Sequence, residues 1–241
     1  MPDKIARLTC PAEDAGSTIE LESMTKADLV RWIAAGLGLR YNEVGDKAFL
    51  ALPEAKPAPK PQVIPSALAV PYFAQMDSAT SQGARMCFSS SCAMLAKFLK
   101  PNALGDGKNA DDEYLARVNK YGDSTDANAQ IRALAYLGIK AEFRQNLSFR
   151  DIDKQLLAGK PVPIGILHHG PADNPTGGGH WIVVIGKLGE AYRVHDPAGE
   201  LDLVNGGYGL GRSGSGVLYS AKNLGRRWQV EGAGTGWGIM A

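Results

Sequence analysis

Apolar residues along the chain alternate between a helical and a strand-like period, and the changes of period mark its elements. Leu29, Val30, Ile33, Ala34 and Leu37 recur at helical spacing behind Thr25-x-x-Asp28, a capping-box-like start, and Gly36 and Gly38 end the run. A hairpin is expected around Gly45. Pro53–Pro65 then concentrates five of the 14 prolines and almost no core-forming side chains, which predicts a semi-rigid, polyproline-II-like linker. Ala67–Gln75 reads as an extended lead-in. Helical spacing returns from Cys87, with Leu95, Phe98 and Leu99 inward, and over Asp111–Tyr121, with Tyr114, Leu115, Val118 and Tyr121 on one face. Asp126 caps a third helix carrying Ile131, Leu134 and Ala135, Gly138 closes it, and Ile139 starts a short strand. Ser148–Leu157 is expected as a helix, and Val162–His168, Trp181–Ile185 and Tyr192–His195 as strands. The glycine-rich remainder, with Trp228 and Trp237, reads as loops and short strands closing the sheet.

Helices early and antiparallel strands late predict an α+β architecture in three parts: a small head over residues 1–52, a Pro-rich linker over 53–66 and a body over 67–241. About fifty residues make a marginal core, so the head is expected to dock on the body or on a partner.

Composition narrows the function. A formal charge of +1 over 241 residues, with no Lys/Arg cluster, argues against a nucleic-acid partner. The first residues lack the apolar core of a signal peptide, and no stretch approaches the ~18 apolar residues of a spanning helix, so a soluble protein made in the cytoplasm, with no membrane partner, is expected. Three cysteines, Cys10, Cys87 and Cys92, make no disulfide framework and favour free thiols. No pair of His or Cys has C-x-x-C or H-E-x-x-H spacing, and Gly177–Gly179 does not follow a strand and open a helix. No metal or other cofactor is called for.

Candidate chemistry centres on Cys87, where a polar approach turns into a helix directly behind a thiol. The unpaired N–H groups and positive dipole end at a helix N-terminus favour a thiolate. His180 opens the apolar strand Trp181–Ile185, and the next strand ends at His195-Asp196-Pro197. A thiol hydrolase needs a thiolate, an imidazole, a group fixing the imidazole and an oxyanion donor. Cys87, His180, Asp196 and a glutamine, Gln75 or Gln82, can fill those roles. His168 and His169 are the competing bases. Strand alternation sends His195 and Asp196 to opposite faces, so only one faces the site. Cys92, inside the helix, reads as a packed apolar residue, and Asp196 before Pro197 also fits a plain turn.

The segments Val70-Pro-Tyr-Phe-Ala-Gln-Met-Asp77, Cys87-Phe-Ser-Ser-Ser-Cys-Ala-Met-Leu95, Gly179-His-Trp-Ile-Val-Val-Ile-Gly186 and Val194-His-Asp-Pro-Ala-Gly199 resemble, in order, the motifs of papain-like cysteine peptidases related to the double-glycine-leader (bacteriocin-processing) peptidases. The resemblance covers Ala67 to Gly199. It implies Cys87 as nucleophile, His180 as general base and acid, Asp196 as orienting acid and Gln75 as oxyanion donor. Phe88 stands where glycine often follows the nucleophile, which puts close approach of a substrate backbone in question. Asp202–Tyr208 and Arg227–Gly232 resemble versions of this domain in tailed bacteriophages. That implies a thiol peptidase acting on bacterial cell-wall peptide, virion-associated or in a lysis system, with phage tail proteins as partners of the head. The rival readings are acyl transfer or amide hydrolysis on the same triad, and a non-catalytic binding module of a phage tail.

Overall fold

The computed structural model describes residues 7–9, 18–20, 25–38, 40–44, 47–51 and 63–241. The chain falls into two compact units, residues 1–61 and 62–241. Cys10, Gly45 and most of the expected linker, residues 53–62, lie outside the described residues.

In the first unit β1 (Arg7–Thr9) pairs antiparallel with β2 (Thr18–Glu20). Helix α1 (Lys26–Gly36) starts where Thr25 accepts the Asp28 N–H, so the capping signal is used. β3 (Arg40–Val44) and β4 (Lys47–Ala51) pair antiparallel with Val44 opposite Lys47, giving the expected hairpin.

The second unit is an α+β domain. Its helices are α2 (Cys87–Leu99), α3 (Ala110–Val118), α4 (Ala127–Tyr136), α5 (Phe149–Leu157) and α6 (Ala221–Trp228). Its strands are β5 (Glu142–Leu147), β6 (Val162–Ile166), β7 (His180–Leu188), β8 (Ala191–His195), β9 (Val217–Ser220) and β10 (Gly236–Met240). They form one antiparallel sheet in the order β5-β10-β6-β7-β8-β9.

The apolar run of β7 follows from burial on both faces. Val183 and Ile185 enter the core with α2, α3 and α4, whereas Ile182 and Val184 enter the core with α5 and α6. The sheet is thus the middle layer between two groups of helices, and the start of β7 meets the start of α2.

Three expectations are corrected. Helix α3 begins one residue earlier and stops at Val118 instead of Tyr121. Ile139 starts no strand: its N–H closes α4 on the Leu134 carbonyl, and β5 begins at Glu142. The stretch Ala221–Trp228, expected as loop or strand, is the helix α6. Its signal was faint because only Leu224 and Trp228 supply an apolar pair and Gly225 interrupts them, while Ser220 accepts the Asn223 N–H as its cap.

Candidate active site

Cys87 is the first residue of α2, so the N–H groups of the first turn have no helical carbonyl to pair with and point toward the thiol. Its neighbours on the helix are core residues. Phe88 is buried and stacks flat on Trp181, with ring centroids 3.5 Å apart and planes within 3°. The Phe88 side chain therefore packs into the protein, against Trp181.

His180, at the first position of β7, is 4% exposed and donates from Nε2 to Asp196 Oδ1 at 2.7 Å. Nε2 is thereby committed, which leaves Nδ1 as the ring nitrogen for Cys87. Burial alone would disfavour the Cys87 thiolate. The hydrogen bond and positive charge of His180, with the N–H groups of Trp181 and Phe88, outweigh burial and hold the thiol below its ordinary pKa. Burial likewise works against a charged His180, but Asp196 and the thiolate push its pKa up to about 10. Each group thus favours the charged form of the other.

Asp196 is wholly buried and saturated with donors. Oδ1 also accepts the Ala198 N–H at 3.0 Å, and Oδ2 accepts the hydroxyls of Tyr219 at 3.0 Å and Tyr208 at 3.4 Å. The Tyr208 ring meets that of His180 edge-on, 5.5 Å between centroids. Tyr72 donates to the Asp196 carbonyl at 3.0 Å, and the Asp196 N–H donates to Gly214. A Cβ on Gly214 would overlap that same Asp196 carbonyl, so only glycine lets the loop close on the acid. None of Tyr72, Tyr208, Gly214 and Tyr219 carries a period or spacing that marks it in the sequence. An aromatic residue in the glycine run Gly206–Gly211 was the one visible hint.

Gln75 is 4% exposed, and its Nε2 donates to the Gly83 carbonyl at 3.0 Å, four residues ahead of Cys87. The amide keeps a second N–H, while Oε1 is buried without a partner. Gln82 is only partly buried and caps the short turn Gly83–Arg85 with no side-chain hydrogen bond.

The remaining candidates separate cleanly. His195 donates from Nε2 to the Val70 carbonyl at 2.9 Å and accepts the Gly216 N–H at Nδ1, also at 2.9 Å, and burial lowers its pKa. The His168 ring lies 5.4 Å from that of His180, its Nδ1 buried and unpaired. Burial, then the positive charge of His180, lowers its pKa to about 4. His169 joins Thr176 through backbone hydrogen bonds. Cys92 is fully buried, which raises its thiol pKa far out of the working range.

Residues 67–205, more than half of the chain, match the model of the peptidase C39-like family. The chain belongs to that family. The match takes in all four motif segments and ends before Tyr208, Gly214 and Tyr219. Two solved structures are similar. One is a Bacillus anthracis protein described as a C39-like peptidase, 16% identical, with 72% of this chain and 95% of that one covered and a TM-score of 0.47. The other is a double-glycine-motif protease from an AMS/PCAT transporter in complex with the leader peptide, 15% identical, with 73% and 92% covered and a TM-score of 0.45. No curated protein matches.

Proposed function

We propose that this member of the C39-like family is a thiol peptidase that cleaves a peptide bond with Cys87, His180, Asp196 and Gln75. The observation that carries the reading is the committed 2.7 Å bond from His180 Nε2 to a buried, donor-saturated Asp196, which turns the other nitrogen to the thiol and favours the ion pair.

In this mechanism the Cys87 thiolate adds to the scissile carbonyl. The oxyanion takes the free Nε2–H of Gln75 and a first-turn N–H of α2. As the tetrahedral species collapses, His180 gives its Nδ1 proton to the departing amine and a thioester remains on Cys87. A water then loses a proton to His180 and adds to the thioester, releasing the acid and restoring the ion pair. Asp196 holds the ring orientation and offsets the imidazolium charge throughout.

The substrate expected from sequence resemblance is wall peptide in a phage setting. The test places purified bacterial walls beside denatured protein and compares wild type with Cys87→Ala. New amino termini on either substrate, absent with the variant, support the proposal. Release of ammonia or of a transferred acyl group with no new amino terminus favours amide or acyl-transfer chemistry. No Cys87-dependent product of any kind overturns a catalytic role.

A further inference from the structure

We propose that the groove along the open edge of β9 is a second peptide-binding site, which takes an extended, lysine- or arginine-bearing segment of a partner polypeptide as an added strand of the sheet.

β9 ends the sheet, with β8 on one side and no strand on the other. The register decides which of its backbone groups face outward. The Ala221 N–H donates to the Glu190 carbonyl, one step beyond the pairing of Ala191 with Ser220. Hydrogen-bonded pairs alternate with non-bonded ones in an antiparallel ladder, so Val217 and Tyr219 turn their N–H and C=O groups to β8. Leu218 turns both of its groups away, and Ser220 its N–H. Among the described residues neither of these N–H groups has a partner.

Unpaired groups on an edge strand are a template for another chain, and proteins commonly blunt them with charges, proline or a bulge. The opposite edge of the sheet is blunted in this way: β5 carries Glu142 and Arg144, and its pairing with β10 is irregular. β9 has no such device. Its sequence is Val-Leu-Tyr-Ser, its register with β8 is unbroken, and Leu218 is 47% exposed.

The groove beside this edge holds about 710 Å³. Leu218, Tyr219 and Ser220 all line it although side chains alternate along a strand, so it follows the edge and not one face. Residues of the segment 200–212 make up most of the rest, among them Gly207, where a Cβ would meet nothing within 4 Å. That leaves room for the side chains of an added strand.

Charge selects among peptides. Glu200 and Arg212 pair at 3.2 Å, and Arg212 is the one cation of the lining. Asp202 is the carboxylate left over. The N–H groups of Asn205 and Val204 hold its pKa below the ordinary range, so it stays charged, and a lysine or arginine on the incoming segment would answer it. Neither Cys87 nor His180 lines the groove, so a segment held there leaves the thiol free for a substrate.

The test uses the full chain with Cys87 alkylated, so that no probe is cut and the outcome is independent of the peptidase reading. The probes are acetyl-Lys-Val-Lys-Val-Lys-amide, its counterpart with glutamate for lysine, and the lysine peptide N-methylated at every residue. Exchange of single backbone amides with water is followed by NMR. With the lysine peptide at about ten times its half-saturating concentration, exchange at Leu218 and Ser220 should slow by about tenfold. The glutamate peptide should bind more weakly, Asp202→Asn should narrow that difference, and the N-methylated peptide should leave both amides as in the free protein. No slowing at β9 with millimolar lysine peptide, equal slowing by the N-methylated form, or equal binding of the glutamate peptide would overturn the proposal. So would Leu218 exchange that is already slow in the free protein and quickens on dilution, since a second copy of the chain would then fill the edge.

Discussion

His195 and Asp196 are neighbours in sequence with opposite assignments in space. The Asp196 carboxylate accepts from His180, Ala198, Tyr208 and Tyr219, while the His195 imidazole is held between the Val70 carbonyl and the Gly216 N–H. Strand alternation at the end of β8 separates an acid facing the candidate site from a histidine that ties the lead-in segment to the sheet.

His195→Ala should therefore act on stability. It orphans one buried carbonyl and one N–H, each costing about 1–3 kcal/mol, so the melting temperature should fall while activity per folded molecule is kept. Thermal unfolding followed by active-site titration checks this, and loss of turnover in a protein of unchanged stability would contradict it.

Asp196→Asn removes the charge that raises His180. The His180 pKa should drop from about 10, and the upper limit of the pH window in which Cys87 is paired should drop with it. Iodoacetamide rates against pH would show the shift. Tyr219→Phe should give a smaller change in the same profile, with a stability cost because the Tyr219 hydroxyl also accepts the Leu201 N–H at 2.7 Å.

Cys87 should be alkylated first of the two described cysteines, and at pH 6 as well as at pH 8, because its pKa is lowered whereas that of Cys92 is raised. His180→Ala removes the main favourable partner of the thiolate. Its alkylation at pH 6 should slow by about tenfold or more and recover as pH rises through the ordinary thiol range. Peptide mapping after limiting reagent gives both results.

Gln75→Ala should cut turnover ~100- to 1,000-fold, the cost of losing one oxyanion donor, and Gln82→Ala should leave it close to wild type. Steady-state kinetics on a single substrate, with KM and kcat separated, decides between the two glutamines.

A separate titration lies under α2. Ser90 donates to Asp111 at 2.6 Å, and burial, partly offset by that bond, raises the Asp111 pKa to about 6. A carboxyl with a raised folded-state pKa stabilises the fold below its unfolded value near 4, and that contribution is lost as pH rises through about 6. Asp111→Asn should remove the dependence. Between pH 4 and pH 6.5 the wild type should lose on the order of 1 kcal/mol relative to the variant, read from denaturant midpoints.

Much of this arrangement was legible in the sequence, for identifiable reasons. A helix that starts at a thiol, and an apolar strand that starts at a histidine, are signals carried by consecutive residues, so Cys87 and His180 could be placed on their elements, whereas the second helical layer, formed by α5 and α6, could not. Tyr208, Tyr219 and Gly214 could not, because they reach Asp196 through a loop whose course is set by tertiary contacts. The inward turn of Phe88 was equally hidden, since its partner Trp181 lies far along the chain. Helix α6 escaped because its length is eight residues and its inward face is two side chains.

Sheet order has a consequence for the growing chain. β10 follows every other strand in synthesis, yet it sits between β5 and β6. Until residues 236–240 leave the ribosome, β5 and β6 have no strand to join them. Cys87, His180 and Asp196 are all translated before that strand, so a nascent chain carries the reactive groups with the sheet still divided. The strand that unites the two parts of the sheet is therefore the one made after all the others in it.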